Sequence, residues 1–358
     1  MRSETEKLHV EAVPSPGSRF ARTADTDSAS RSTIFVVTPM FNDWDPARRL
    51  LVDLDAVAKN NDDLLSVVVV NDGSTEAGEF QPDFLASLSN IECVEVVNLV
   101  SNLGHARAIA VGLAYVAQEK QGAAVVVMDS DGEDCAVDVG RMLKASRDGE
   151  SRVIVAHRQQ RSEGIAFRAF YQLYKLLFRI LTGRKISFGN FCLVPWAILK
   201  KLVFVPDLWN HLAASLVRSQ FQVTQLSTVR GERYSGSSKM NLVSLIQLGL
   251  GAIAVDVERV LVRILLALGY FVLLLLTAMM VVSGVRLVTD LAIPGWASNV
   301  FGALAILLVQ TTVFAILLLF IDLKNRTVAV AVPALHYRDF IAGVVSLKDE
   351  INTSEAQS

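Results

Sequence analysis

A surplus of either charge, paired cysteines and a secretory leader are all missing from this 358-residue chain. Lys and Arg total 34 against 36 Asp and Glu, a formal net charge of −2, so there is no basic field of the kind that neutralises phosphate backbones. Nucleic acid is excluded as an expected partner. Cys93, Cys135 and Cys192 are widely separated and make neither a CxxC pair nor an even-numbered framework, which excludes a cysteine metal cluster and a disulfide scaffold. They are expected to be reduced cytoplasmic thiols. The first thirty or so residues are rich in Ser, Thr, Glu and Arg and lack the central apolar run of a signal peptide; a disordered tail is expected over residues 1–31.

Charge is also scarce overall: 20% of residues are charged and 52% hydrophobic, with the apolar excess concentrated toward the C-terminus. Single cores stop growing near about 250 residues, so one globular domain plus a second element is expected. Ile264 to Val285 contains no charged residue, and Val300 to Ile321 repeats that length. At a rise of about 1.5 Å per residue each run crosses the roughly 30 Å hydrocarbon core, predicting transmembrane helices over 264–285 and 300–321. Arg259 and Arg263 precede the first run, Lys324 and Arg326 follow the second, and Arg286 and Asp290 lie between them. This charge bias predicts that both termini face the cytoplasm. Gly269, Gly284, Gly302 and Ala303 are small enough for close helix packing, which allows a homo-oligomer.

Before the apolar runs the pattern is strand and helix in alternation. Ile34-Phe35-Val36-Val37 has the β-branched composition of a buried strand, which Pro39 is expected to end. Leu50, Leu51, Leu54 and Val57 recur at helical spacing, and Leu65 to Val70 forms a second strand. Cys93–Val97, His105–Gln118 and Ala123–Met128 continue the alternation, followed by a helix near Val137–Ser146 and a strand near Arg152–Ala156. Alternation of this kind predicts an α/β domain over 32–240: a Rossmann-like, mostly parallel sheet with helices on both faces, its ligand site beyond the strand C-termini. Phe167 to Thr182 fits either an amphipathic helix at a membrane surface or an ordinary helix packed on the sheet. A second amphipathic helix is expected over 241–263, and residues 322–358 are expected to form a cytoplasmic tail.

Polar motifs fall at the strand ends. Asp129-Ser130-Asp131 follows a buried strand and continues to Glu133 and Asp134; alternating carboxylates there suit Mg²⁺ or Mn²⁺ shared with a diphosphate, although a lone pair of this kind also suits a solvated turn. Asn71-Asp72-Gly73-Ser74-Thr75 follows the second strand, where Asp72 could accept from a nucleobase N–H. Pro39, Asn42 and Asp43 after the first strand would add polar walls to the same crevice.

Taken in order, Pro39…Asn42-Asp43, Asn71-Asp72-Gly73-Ser74, Asn102-Leu103-Gly104-His105 and Asp129-Ser130-Asp131 resemble the inverting family 2 glycosyltransferases of the GT-A fold. More narrowly they resemble the polyprenyl-phosphate glycosyltransferases, over roughly residues 33–324. The resemblance implies that Pro39, Asn42, Asp43, Asp72, Asp129 and Asp131 bind the donor, a nucleotide diphosphate sugar, and that Asp129, Asp131 and Glu133 surround the metal. Relatives usually carry Gln at the position of Glu133. Arg158 and Arg161 match a basic motif facing the acceptor phosphate, and with Asp131 they form the expected catalytic set. Arg233-Tyr234-Ser235-Gly236-Ser237-Ser238-Lys239 resembles a further motif, in which Arg233 and Lys239 neutralise phosphate as a loop closes; by composition alone it also reads as a linker.

Gly189-Asn190-Phe191 departs from a family segment that commonly reads Gly-Asp-Phe, and an Asn cannot act as a general base. His105 is expected to cap or orient rather than to catalyse, and Trp209 and His211 fall where relatives place part of a substrate site. The implied reaction moves a hexose, with inversion, onto polyprenyl phosphate at the cytoplasmic face of a bacterial inner membrane. A processive polysaccharide synthase is the rival enzyme, weakened by the lack of a Gln-x-x-Arg-Trp motif. A non-catalytic membrane protein that binds nucleotide sugar is the rival of another class.

Overall fold

A computed structural model describes residues 32–147, 151–158, 172, 176–183, 188–235, 249–288, 295–326 and 330–347. The expected N-terminal tail lies outside the described residues. The elements are β1 (Thr33–Met40), α1 (Trp44–Lys59), β2 (Leu64–Asn71), α2 (Pro82–Ser87), β3 (Ile91–Leu99), α3 (His105–Glu119), β4 (Ala124–Val127), α4 (Ala136–Arg147) and β5 (Val153–Arg158). After these come β6 (Cys192–Pro195), α5 (Trp196–Leu202), α6 (Leu212–Arg218), β7 (Val223–Thr228), the two long helices α7 (Val257–Val288) and α8 (Trp296–Arg326), the short α9 (Pro333–His336) and β8 (Ile341–Ser346).

Among the described residues one eight-stranded sheet has the order β7-β5-β6-β4-β1-β2-β3-β8. The centre, β4-β1-β2-β3, is parallel, while β6 and β8 run antiparallel to their neighbours. The four central strands are near-continuous Val, Ile and Leu because both their faces are covered. Side chains of one parity (Phe35, Val37, Val68, Val70, Val97, Val125, Val127) pack under α3, α5 and α6. The other parity (Ile34, Val36, Val67, Val69, Val94, Val126) packs against Leu50, Leu51 and Leu54 of α1 and Val139 and Met142 of α4. The chain leaves β1 toward β2 and β3, then crosses to β4 on the other side of β1, so the order reverses at the β1/β4 boundary. A crevice opens beyond the strand ends at such a switch point.

Pro39 does not end β1; it pairs with Val70 inside it. The reason is the alternation of ladder bonds. The Asp72 N–H donates to the Met40 carbonyl at 2.8 Å, toward β2, and the Met128 N–H donates to the Val37 carbonyl at 3.2 Å, toward β4. By alternation the Pro39 nitrogen faces the β4 side, where pairing stops at Val37 and Val127, so its missing N–H costs no ladder bond.

The long helices α7 and α8 pack on each other, and each is long and apolar enough to cross a membrane, about 46–48 Å at 1.5 Å per residue. Their side chains are largely exposed, so neither is a core helix of the sheet domain. The division expected near residue 263 falls instead at a turn at Val255 and Asp256, and Arg259 and Arg263 belong to the continuous α7. Its base is fastened to the domain: Arg263 donates to the Ile180 carbonyl at 2.5 Å, and Arg218 donates to the Val255 carbonyl and to Asp207 at 3.0 Å. A Cβ at Gly269, Gly284 or Gly302 would meet nothing within 4 Å, so these glycines are not where α7 and α8 touch.

Residues 330–347 are not a tail. Beyond α8 the chain returns to the sheet, burying Ala334 and Tyr337 and adding β8 to the edge of β3 from Glu95↔Ser346 to Leu99↔Ile341. The Tyr337 hydroxyl donates to Glu119 at the end of α3, and Arg338 donates to the same carboxylate at 2.5 Å. These hydrogen bonds hold the Glu119 carboxyl below the usual range. Both ends of the helical pair therefore leave from and return to one sheet. Tyr337 is 3% exposed; a Tyr337→Ala change is expected to lower stability by about 3–5 kcal/mol, read from urea unfolding of the detergent-solubilised protein, with the half-exposed Val345→Ala as a near-neutral control.

Candidate functional site

Four strand-end loops meet over the switch point, held together by the polar residues of the motifs. Asp72, 4% exposed at the end of β2, accepts from the Leu103 N–H at 2.7 Å and the Gly104 N–H at 3.0 Å, pinning the turn that starts α3. Burial raises the Asp72 carboxyl above the usual carboxylate range, and those two backbone donors pull the other way. Asp72 thus holds a loop rather than presenting a free carboxylate to a base. Gly73, at φ +66, is where the same loop passes the next; a Cβ would lie 2.6 Å from the Asn102 nitrogen.

Asn42 does the equivalent work between β1 and β2. Its backbone N–H donates to Ser74 Oγ at 2.9 Å, its amide nitrogen donates to Thr75 Oγ1 at 3.0 Å, and its amide oxygen accepts from Thr75 and Glu76 N–H at 2.8 and 3.0 Å. A left-handed backbone, φ 53, aims it there, a conformation Asn tolerates better than most. Pro39 is buried within β1, and Asp43 precedes α1, accepting the Ala47 N–H on its carbonyl at 3.0 Å. Of the expected donor residues, Asn42 and Asp72 therefore build the rim.

The acidic turn after β4 is folded around Asp134, which is buried and accepts from the Asp129 N–H at 3.0 Å. Asp129 Oδ1 is buried without a hydrogen bond, 3.4 Å from His105 Nε2. Asp131 Oδ1 accepts from the Glu133 N–H at 2.9 Å while its Oδ2 lies 2.8 Å from Arg233. Burial pushes the Asp131 carboxyl up; the nearby Asp129 and Glu133 charges add to this, against the Glu133 N–H and Arg233.

Glu133 is engaged by two arginines. Its Oε1 takes Arg230 at 2.6 Å and Arg233 at 2.8 Å, and among the described residues no three His, Cys, Asp or Glu side chains are grouped to hold a metal. The expected cage of Asp129, Asp131 and Glu133 is therefore not formed, because two guanidinium groups compete for Glu133. Burial raises the Glu133 carboxyl, but the two arginines outweigh it and leave it below its ordinary value of 4.5.

These arginines belong to a strap after β7. The Gly231 N–H donates to the Glu133 carbonyl at 3.0 Å and the Tyr234 N–H to the Asp131 carbonyl at 2.9 Å. The Tyr234 ring lies on Gly132, where a Cβ would be 2.7 Å away, and its hydroxyl donates to Asp53 at 2.5 Å. Arg233 thus meets carboxylates, not an open phosphate site. Arg158 ends β5, two strands from β4 in the sheet, whereas Arg161 and Lys239 lie outside the described residues.

His105, Asn190 and His211 are three residues that the sequence singles out without a donor or metal role. His211 begins α6 with its Nδ1 accepting from the Ala214 N–H at 3.3 Å, and burial, with a smaller push from His105, lowers it to about 4. Asn190 Nδ2 lies 3.2 Å from His105 Nε2. Antiparallel pairing of Val127 with Cys192 places Asn190 across from Asp129. That signal needs β6, whose four residues are too short to carry a period.

Residues 35–203 match the model of glycosyl transferase family 2. These residues form a glycosyl transferase family 2 domain. The chain's sheet is mostly parallel, and the two candidate membrane helices follow it. An uncharacterized glycosyltransferase of Bacillus subtilis (strain 168) is 24% identical over 274 residues, 74% of this chain and 80% of that protein. The undecaprenyl-phosphate 4-deoxy-4-formamido-L-arabinose transferase of Serratia proteamaculans (strain 568) is 24% identical over 228 residues, 60% of this chain and 65% of that one. This chain thus spans just under two thirds of the latter's length. Glucosyl-3-phosphoglycerate synthase from Mycobacterium tuberculosis, solved with Mn²⁺, UDP-glucose and phosphoglyceric acid, overlays at a TM-score of 0.45 with 17% identity, covering 64% of this chain and 80% of that one.

Two outcomes follow from the geometry. Gly73→Ala forces a left-handed side chain into the 101–102 backbone and is expected to cost about 2 kcal/mol or more, read from the unfolding midpoint. Because Glu133 is lowered in the folded state, the stability it lends the strap is full above its unfolded value of 4.5 and is lost as pH falls through the lower folded value. Protection of the Gly231 amide in hydrogen exchange is therefore expected to fall as pH drops below 4.5, and to fall less steeply in Glu133→Gln.

Proposed function

We propose that this glycosyltransferase moves a hexose from a nucleotide diphosphate sugar to polyprenyl phosphate, with inversion at the anomeric carbon, at the cytoplasmic face of a bacterial inner membrane. The carrying observation is that the crevice with Asp129 and Asp131 and the paired helices α7 and α8 belong to one sheet domain, which β8 closes from beyond the helices. The undecaprenyl-phosphate acceptor in the name of the Serratia relative supports the same acceptor class. A lipid phosphate lies at headgroup depth and its tail stays in the bilayer, so an enzyme acting on it has reason to be anchored there. Exposed Leu176, Leu177, Ile180 and Leu250, beside the base of α7, form an apolar shelf suited to the interface.

The acceptor needs little activation. With a second pKa near 6, a phosphate monoester is largely dianionic at pH 7, and one of its oxygens can form the bond to the anomeric carbon as the bond to the nucleoside diphosphate breaks. No general base is required, which agrees with an Asn at position 190. The chain's residues would align the reactants and hold charge: Asp129 and Asp131 flank the leaving diphosphate, and Arg158, Arg161, Arg233 and Lys239 are assigned to the acceptor phosphate.

A divalent ion, Mg²⁺ or Mn²⁺, fits two of the carboxylates. Asp129 Oδ1 is buried without a hydrogen bond, and Asp131 is held by Arg233 and a backbone N–H, an ion pair that a cation could displace, whereas Glu133 is satisfied by two arginines. One or two carboxylates with substrate phosphates suffice for such an ion. When bound, it would neutralise charge on the departing diphosphate. Arg233 would then be free to leave Asp131 for a phosphate.

The test is transfer of labelled sugar from UDP- and GDP-hexoses to undecaprenyl phosphate in detergent with Mn²⁺ or Mg²⁺. Lipid-linked product is expected, with a loss of about 10²-fold or more in Asp129→Ala. Release of nucleoside diphosphate that needs no lipid phosphate would overturn the acceptor. In membranes, single cysteines at Asp83 and Asp339 are expected to react with an impermeant maleimide from one side and a cysteine at Ser298 from the other; labelling of Asp83 and Asp339 from opposite sides would overturn the topology.

A further inference from the structure

The wall formed by His105, Asp129 and Asn190 contains hydrogen-bonding groups that this chain leaves unmatched. If Asn190 Nδ2 donates to His105 Nε2 across their 3.2 Å, then Asn190 Oδ1 and Asp129 Oδ1 are both buried without a partner. If the amide is turned over, so that its oxygen accepts from His105 Nε2–H, the NH₂ group takes the empty place. In the first arrangement the amide oxygen is buried and unfilled; in the second the NH₂ group, with two hydrogens, keeps one for a ligand even if the other goes to Asp129. Leaving such a group unmatched costs about 1–3 kcal/mol, which a ligand can recover.

The chemistry of the wall narrows the ligand. A phosphate offers acceptors alone, so it can match the Asn190 amide in only one of its two orientations. A hydroxyl is donor and acceptor at once, so it can satisfy Asn190 in either amide orientation. Position narrows it further. Asn190 lies across the β4–β6 ladder from Asp129, at the carboxylate turn assigned to the diphosphate. The group next to that diphosphate is the sugar. His211, buried nearby at the start of α6, takes the Ala214 N–H on Nδ1 and so carries its own proton on Nε2.

We propose that Asn190 is a specificity-determining residue that reads one hydroxyl of the donor sugar, with His105 fixing the plane of its amide. This rests on the glycosyl-transfer reading and names the part of the crevice that selects the sugar. The role requires an uncharged amide, because a second carboxylate beside Asp129 would take up a cation instead of discriminating among hydroxyls.

The experiment is calorimetric binding to the full chain in detergent with Mg²⁺, first of UDP and GDP, then of their hexose conjugates, and then of the 2-, 3-, 4- and 6-deoxyfluoro forms of the conjugate that binds best. In the wild type one deoxyfluoro position is expected to weaken binding about tenfold, the weight of one neutral hydrogen bond. Asn190→Ala is expected to lose that same factor for the parent sugar and to become indifferent to that position, while its affinity for the nucleoside diphosphate stays within about twofold. A purely structural role would weaken all ligands alike, and that result would overturn the proposal. So would Asn190→Ala keeping the wild-type discrimination at every position, or Mn²⁺ affinity without nucleotide, followed by electron paramagnetic resonance, falling about tenfold in the variant, which would assign Asn190 to the cation. Absence of binding by any nucleotide sugar to the wild type would overturn the glycosyl-transfer reading together with this one, and so differs from failure of the Asn190 assignment alone.

Discussion

The Asp72 carboxylate leaves the end of β2 and accepts two backbone N–H groups from the turn that begins α3. Through that contact the β2 loop and the start of α3 share one position, and Gly73 lets them approach to backbone contact. His105, the first residue of α3, is then set within reach of Asp129 and Asn190. Asn42 ties the β1 loop to the same body. Without these ties each loop would have to be ordered separately when substrate arrives, and that entropy would be subtracted from binding.

The carboxylates of the acidic turn differ in the partners they already hold. Asp129 lies within reach of His105 and Asp131 is paired with Arg233, whereas Glu133 is matched by both Arg230 and Arg233 of the strap. Because Arg233 touches Asp131 as well, the strap is attached to the carboxylate that a cation would claim. The acidic turn therefore grips its own chain, and a cation bound at Asp131, as proposed above, would have to displace that salt bridge.

Much of this was legible in the amino-acid order. β1 to β5 and α1, α3 and α4 carry clear periods, because a central parallel strand is apolar throughout and its helices are apolar on one face. What was not legible has particular causes. β6 is four residues long, and the solvent-facing side of β7 leaves Thr224, Gln225 and Ser227 reading as loop. β8, Ile-Ala-Gly-Val-Val-Ser, lies beyond two long apolar helices, and nothing local says that it pairs with a strand some 250 positions earlier. In the site, the motif residues were found but their work was not: the sequence carries the identity of Asp72 and Glu133, whereas which atoms already have partners depends on packing. Asn190 stood out by type, and its facing Asp129 became visible only with the β4–β6 ladder.

The position of β8 has a consequence for how the protein is made. Strand β3 cannot receive its last neighbour until α7 and α8 have been synthesised, so during translation the sheet carries an open β3 edge. Such an edge invites pairing with other chains. Insertion of the helices would bring β8 back to the side on which the sheet waits and close the edge. On the reading that α7 and α8 cross the bilayer, their insertion and the sealing of the sheet become one event, and a nascent chain that fails to insert is left with its sheet unsealed.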